Sequence, residues 1–298
     1  MAKLGFLGLG IMGYPMARHL IEAGHDVALW SNTTAKVQKL STNGQKAHAC
    51  ATPAEVAGHS DCIFYCVGDS AMSREVAIGP SGLIHGAKPG TVVADCSTVA
   101  PAVSREIGRA FHDKGVAFLD APCTGSVPGA ENGTLTFMIG GDQRVFESVR
   151  PHFEHMGKLF YYCGGPGMGL QAKLTQNLVL ANMMAAFNEG MVLATKAGVP
   201  PELMLDILNN SAAKSGLVSY KAPFILRRDF STNFSTKWMH KDVSMALDSA
   251  KQLGFPMPVT AVTQQMFQAA MAKGFAEEDM CSTISVLEDW AGVVVKKV

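Results

Sequence analysis

Residues 3–19 read Lys3-Leu4-Gly5-Phe6-Leu7-Gly8-Leu9-Gly10-Ile11-Met12-Gly13-Tyr14-Pro15-Met16-Ala17-Arg18-His19. A short apolar strand runs into Gly-x-Gly-x-x-Gly and then into helical spacing, the strand–turn–helix context in which that glycine pattern binds a dinucleotide. Gly8 permits the tight turn, Gly10 lets backbone approach a pyrophosphate, and Gly13 lets the helix pack closely on its strand. The free N–H groups of the helix N-terminus would receive the phosphates. Gly8, Leu9, Gly10, Ile11, Met12 and Gly13 are therefore candidate cofactor-binding residues.

The second strand, Val27 to Trp30, ends in Ser31-Asn32-Thr33-Thr34-Ala35-Lys36. An NAD site usually places an acid there for the ribose hydroxyls. Here small hydroxyl and amide groups stand instead, with Lys36 one turn into the next helix, and these accept a 2′-phosphate without charge repulsion. Ser31, Asn32, Thr33 and Lys36 thus favour NADP, with NAD left open. Ser31 to Thr34 also suit the cap of the helix that begins near Ala35, and the two roles are compatible.

Strand candidates continue at Cys62–Val67, Thr91–Asp95, Ala117–Asp120, Leu135–Ile139 and Leu159–Tyr162, alternating with helical stretches and punctuated by glycine and proline. Alternation of this kind predicts a mostly parallel, doubly wound α/β sheet with helices on both faces, its later strands antiparallel at one edge. After Gly164-Gly165-Pro166-Gly167 the pattern becomes helical only, with glycine stops and proline starts. Helices are expected over 168–196, 201–210, 237–253, 259–273 and 278–296. The expected domains are 1–164, a Rossmann-type dinucleotide-binding domain, and 165–298, an all-α substrate and oligomerisation domain, joined by a long interdomain helix.

The chain has 298 residues, 48% of them hydrophobic, with 25 Lys plus Arg against 25 Asp plus Glu. Such length suits two domains, and the balanced charge gives no field favouring nucleic acid or an anionic membrane. A small-molecule substrate is the expected partner. Seven scattered cysteines without Cys-x-x-Cys point to reduced thiols and no structural zinc, and with no secretory leader the expected location is cytoplasmic. The apolar stretch 174–194 carries Gln176, Asn177, Asn182, Asn188 and Glu189, which suits a buried helix better than a lipid-spanning one.

In that helix Lys173, Asn177, Met184 and Asn188 fall within about 60° of one another at 100° per residue. A lysine on such a helix is costly to bury without a use. His240 reads as a surface histidine, and Phe230, Phe234 and Trp238 as packing residues of the helical region.

With these motifs in order, the chain resembles the β-hydroxyacid dehydrogenases, the group of 3-hydroxyisobutyrate dehydrogenase, tartronate semialdehyde reductase and the glyoxylate/succinic semialdehyde reductases. The resemblance rests on the glycine motif, on Asp120-Ala-Pro-Cys-Thr124-Gly125-Ser126 with Gly129-Ala130 and Gly133-Thr134, on Gly165 to Lys173 with Asn177, and on Lys241-Asp242. It implies that Lys173 is the catalytic acid/base, that Asn177 acts beside it and holds the substrate, and that Thr124, Gly125 and Ser126 bind a carboxylate. Val67, Gly68, Ser97, Thr98 and Lys241 would contact the cofactor. The family more often carries Ser at position 124 and Asn-Arg-Thr at 31–33. The implied activity is hydride transfer between NADP(H) and a short β-hydroxyacid or semialdehyde, by a homodimer or homotetramer. An NAD-dependent 3-hydroxyisobutyrate-type dehydrogenase is the alternative. Imine reduction and a non-catalytic cofactor-binding module are weighed against an intact Lys173, which imine reductases usually replace.

Overall fold

The computed structural model describes residues 1–41 and 46–297. Its elements fall into two compact units, Met1–Lys173 and Leu174–Val298.

The first unit begins β1 (Lys3–Leu7), α1 (Gly13–Glu22), β2 (Asp26–Trp30), α2 (Thr34–Ser41), β3 (Ala47–Ala49), α3 (Pro53–His59), β4 (Cys62–Tyr65), α4 (Ser70–Ile78), β5 (Val92–Asp95), α5 (Pro101–His112) and β6 (Ala117–Asp120). It continues through β7 (Cys123–Thr124), α6 (Ser126–Glu131), β8 (Leu135–Gly140), α7 (Gln143–Phe153) and β9 (Gly157–Gly164). The strand order is β3-β2-β1-β4-β5-β6-β8-β7, with β9 off this path and paired to β8. Strands β1 to β6 are parallel; β8 runs antiparallel to β6 and β7 and parallel to β9.

Period-2 alternation explains the two covered faces. On β4, Cys62 and Phe64 join a core with Leu4, Phe6, Leu29 and Phe153, whereas Ile63 and Tyr65 join another with Leu7, Val76, Val93 and Phe111. A strand buried on both sides needs apolar residues at every position, and β4 reads Cys-Ile-Phe-Tyr. Strands β3 and β7 escape the sequence pattern because they are three and two residues long.

The second unit holds most of α8 (Met168–Lys196), then α9 (Pro201–Asn209), α10 (Gly216–Arg227), α11 (Thr236–Gln252), α12 (Pro258–Ala272) and α13 (Ile284–Ala291). Met184, Met191, Ile225, Met239, Val243 and Phe267 form its core. Helix α10 is absent from the sequence expectation; Pro223 lies inside it, a residue that normally ends a helix. The expected helix over 278–296 is instead a 3₁₀ turn, Met280–Thr283, followed by α13. It stops because Gly292 adopts φ +65°, the left-handed helix terminator. The last residues then fold back, with Val295 fully buried, its amide donating to Glu288 (2.8 Å), and the Lys297 amide donating to the Leu226 carbonyl (2.9 Å).

Helix α8, expected to be a buried helix, is buried on only part of its surface. Lys173, Asn177, Met184 and Asn188 are buried as their stripe predicts, but Val179 and Leu193 stand 49% and 71% exposed. Its length and composition would let it cross a bilayer. Its buried amides, however, bond to protein groups, Asn177 to Asp242 and Asn188 to Thr283.

Candidate active site

The three glycines of the first loop do different work. Gly8 has φ +84°, and a Cβ there would lie 2.2 Å from the Cys66 carbonyl oxygen at the end of β4. At Gly13 a Cβ would meet the Gly8 carbonyl oxygen at 2.0 Å, so a side chain would push α1 off β1. Gly10 meets nothing within 4 Å. That open cradle, facing a helix whose N-cap residue Met12 supplies no side-chain acceptor, is what a pyrophosphate requires, so these residues fit a dinucleotide. Leu9 is buried and Ile11 exposed.

Ser31 ties this loop to the end of β2. Its Oγ accepts from the Leu9 amide (3.4 Å) and from the Thr33 amide (3.3 Å). Asn32, Thr33 and Lys36 are exposed, and α2 has no acid in its first turn.

At the carboxyl ends of β4 and β5 two further loops are stitched together. The Val67 amide donates to Ser97 Oγ (2.8 Å), and the Ala100 amide to Ser70 Oγ (3.0 Å). Beneath them lies Asp95, fully buried, accepting from the Ser97 amide and from Ser73 Oγ, each at 2.8 Å. Burial pushes its carboxyl up to about 6, although hydrogen bonds from Ser97, Ser73 and Tyr65 oppose that. Ser73 in turn contacts the Tyr65 hydroxyl at 3.1 Å. Gly68 and Thr98 sit half-buried on the two loops.

One strand further on, Asp120 ends β6. Its Oδ1 accepts from the Gly167 amide (2.7 Å) and its Oδ2 from the Leu170 amide (2.9 Å), so this carboxylate caps the first turn of α8. Gly169 makes the approach possible, since a Cβ there would strike the Met138 carbonyl oxygen at 2.3 Å. From Asp120 the chain runs through Cys123 and Thr124 into Gly125 at φ +129° and Ser126 at φ +52°. A non-glycine residue in the left-handed region is strained, and such strain gathers where a loop is shaped for a ligand. Lys173, 7% exposed, lies one turn along α8. Burial pushes the Cys123 thiol up to about 11, and the Lys173 charge opposes that rise.

In the second unit Asn177 Nδ2 donates to Asp242 Oδ2 at 2.6 Å, both groups buried. Lys241 Nζ lies 3.2 Å from Asp242 Oδ1 and 5.3 Å from the Trp238 ring centre. Asn177, Asp242 and Lys241 therefore form one cluster. Phe230 and Phe234 pack against the helical core, as expected. His240 is not on the open surface: it is half-buried between α11 and α12, with Nε2 2.8 Å from Gln264 Nε2, and burial lowers its pKa. Among the described residues no group of three or more His, Cys, Asp or Glu side chains is placed to hold a metal, and all seven cysteines are free thiols.

Ser73 lies outside the sequence reading, 22 residues from the carboxylate it serves; Asp120 belongs to the motif quoted above, but its capping role is hidden because its amide donors are 47 and 50 residues away.

The family model described as the NAD-binding domain of 6-phosphogluconate dehydrogenase matches residues 3–165. The model described as NAD-binding of NADP-dependent 3-hydroxyisobutyrate dehydrogenase matches residues 167–287. Among similar proteins, 2-(hydroxymethyl)glutarate dehydrogenase of Eubacterium barkeri is 37% identical over 98% of this chain and 97% of its own. Glyoxylate/succinic semialdehyde reductase 2 of Arabidopsis thaliana, chloroplastic, is 35% identical over 96% of this chain and 79% of its own. The solved structure of Mycobacterium tuberculosis 3-hydroxyisobutyrate dehydrogenase with L-serine superposes with a TM-score of 0.87 at 28% identity, covering 96% of this chain and 99% of that one. An open glycine cradle on a Rossmann sheet, followed by a helical region that matches the family along its length, leaves one assignment: the chain belongs to the β-hydroxyacid dehydrogenases, NAD(P)-dependent oxidoreductases of the EC 1.1.1 type.

Proposed function

We propose that this enzyme reduces a short semialdehyde or oxoacid of the glyoxylate, succinic semialdehyde or tartronate semialdehyde type with NADPH, and that Lys173 is its general acid/base. The observation that carries the reading is a lysine buried to 7% exposure one turn beyond the α8 end that Asp120 caps, Asp120 being the residue from which the Cys123–Ser126 loop runs. Thr124, Gly125 and Ser126 offer two hydroxyls and an accessible backbone to the substrate carboxylate. A nicotinamide supplies the hydride in reduction and accepts it in oxidation. Negative charge then develops on the substrate oxygen, where the Lys173 ammonium stabilises it and donates a proton. Asn177, four residues along the same helix and fixed by Asp242, orients the substrate.

Gly8 to Gly13 cradle the pyrophosphate, while Val67, Gly68, Ser97, Thr98 and Lys241 line the nicotinamide half. Ser31, Asn32, Thr33 and Lys36 surround the 2′-phosphate, and the missing acid in the first turn of α2 supports NADP over NAD. In this scheme residues 1–164 bind the cofactor, and residues 165–298 serve substrate binding and assembly. Exposed Val179 and Leu193 on α8 support a dimer or tetramer that covers them. Seven free thiols agree with a reducing cytoplasm.

The test is NADPH consumption across the three substrates. Lys173→Ala should lose about three orders of magnitude or more in kcat while keeping its NADPH affinity. No turnover across the panel, with NADPH bound, overturns the substrate class; full turnover by Lys173→Ala overturns the acid/base. A strong preference for NADH overturns the reading of Ser31 to Lys36.

A further inference from the structure

The buried carboxylate beneath the two nicotinamide-side loops has no part in the chemistry above, yet both loops hang from it. We infer that Asp95 is the positioning residue of the cofactor site: it fixes Val67 and Ser97 relative to each other and so sets NAD(P)H affinity without touching the cofactor. The inference rests on the reading that these loops contact the nicotinamide half.

The geometry carries it. The Val67 amide donates to Ser97 Oγ at 2.8 Å, Ser97 donates through both its amide and its hydroxyl to Asp95, and Ser73 holds the other carboxylate oxygen from α4 at 2.8 Å. One carboxylate thus joins the ends of two neighbouring strands and a helix. No cation is among the groups that act on it. A buried anion supported by hydroxyls and an amide alone is an expensive way to stabilise a fold, since an apolar residue would fill the place at less cost. As an acceptor for several donors at once, it does something an apolar residue cannot.

The site predicts its own pH response. The titratable groups facing Asp95 are Tyr65 on β4, Cys96 next to it just past β5, and Asp120 at the paired register position on β6. Burial raises Tyr65 and Cys96 well above their ordinary values, so both stay neutral from pH 5 to 8. Asp120 is held by the amides of α8 and is unaltered in every variant below.

The experiment titrates NADPH and NADH by fluorescence from pH 5 to 8 on the full chain. Asp95→Ala, which strands several buried donors, should weaken both cofactors about tenfold or more. Asp95→Asn keeps an acceptor for Ser97 and can donate to Ser73, and should recover most of that loss. The 2′-phosphate of NADPH titrates in this range itself, so the readout is the ratio of wild-type to Asp95→Asn affinity, which should fall towards one below about pH 6. Ser73→Ala removes a donor that favours the ionised carboxylate, so it should shift that midpoint upward, although Ser73 lies on neither loop. An Asp95→Ala protein that folds and binds cofactor like wild type overturns the proposal. So does a wild-type to Asp95→Asn ratio that is flat with pH, and this second comparison decides the matter if Asp95→Ala does not fold. Gly68→Leu separates the underlying reading: if it leaves binding unchanged, the loop does not contact the cofactor; if it weakens binding while Asp95→Ala does not, only the positioning role fails.

Discussion

The two units bury carboxylates in opposite ways. In the sheet unit, Asp95 and Asp120 end neighbouring strands and are held by backbone amides and hydroxyls. In the helical unit, Asp279 adds Lys221 Nζ at 2.7 and 2.8 Å to its amide donors, and Glu288 takes Arg228 at 2.6 Å. A cation opposite a carboxylate makes a brace between elements; amides and hydroxyls around one shape the loop or helix end that donates them. The sheet unit places its buried acids at the loop and helix ends that follow its strands, and the helical unit sets two of them against cations of other elements, where no strand ladder joins the helices.

The largest effect that could break this contrast is at the Lys221–Asp279 pair, whose members are 3% and 1% exposed. Lys221→Met leaves a buried carboxylate without its cation and should cost about 3–5 kcal/mol of stability in chemical denaturation. Adding Asp279→Asn, whose single oxygen can still accept from the Asn233 and Phe234 amides that meet Oδ2, should recover part of it. A loss below about 1 kcal/mol for Lys221→Met would mean the helical unit does not depend on its braces.

Next in size is the pH response of Asp95. Its folded value of about 6 stands above the ordinary 3.8, so folding favours the protonated acid. Its ionisation therefore destabilises the fold above about pH 6, and the penalty disappears as pH falls from 6 towards 3.8. The stability of Asp95→Asn relative to wild type should rise by about 2–3 kcal/mol as pH rises from 3.8 to 6, read from denaturant midpoints at several pH values. A difference constant with pH would place a compensating charge near Asp95.

The smallest is Asp120→Ala. Loss of the cap at Gly167 and Leu170 should cost about 1–2 kcal/mol. It should also lower kcat more than it raises the Kd for NADPH, because Lys173 stands one turn along α8 from the end that the cap holds. Equal loss in both would show that the cap supports the whole sheet rather than that turn.

Most of this architecture was legible in one dimension because its signals are local. Gly8 and Gly13 are needed where a Cβ would strike a carbonyl oxygen 2.2 or 2.0 Å away, so the chain advertises the turn in its residue types. The buried stripe of Lys173, Asn177, Met184 and Asn188 was likewise visible as helical periodicity. What stayed hidden depends on partners far along the chain. Asn177 meets Asp242 across 65 residues and Ser73 meets Asp95 across 22. Helix α10 was concealed by Pro223, and β7 by its two-residue length. The C-terminal helix was overextended because Gly292 reads as an ordinary residue until its left-handed backbone is seen. His240 looked exposed because Gln264, its neighbour on α12, is 24 residues away.

The cap at Asp120 also governs where this polypeptide can be cut. Strand β6 is made long before Gly167 and Leu170, so during synthesis its terminal carboxylate waits for donors that arrive only after β9 is complete. A fragment ending at Gly164 would contain every strand of the sheet and still bury an acid with neither amide. One that runs to Lys173 carries its own cap, and is the shorter piece we would express for the cofactor-binding half alone.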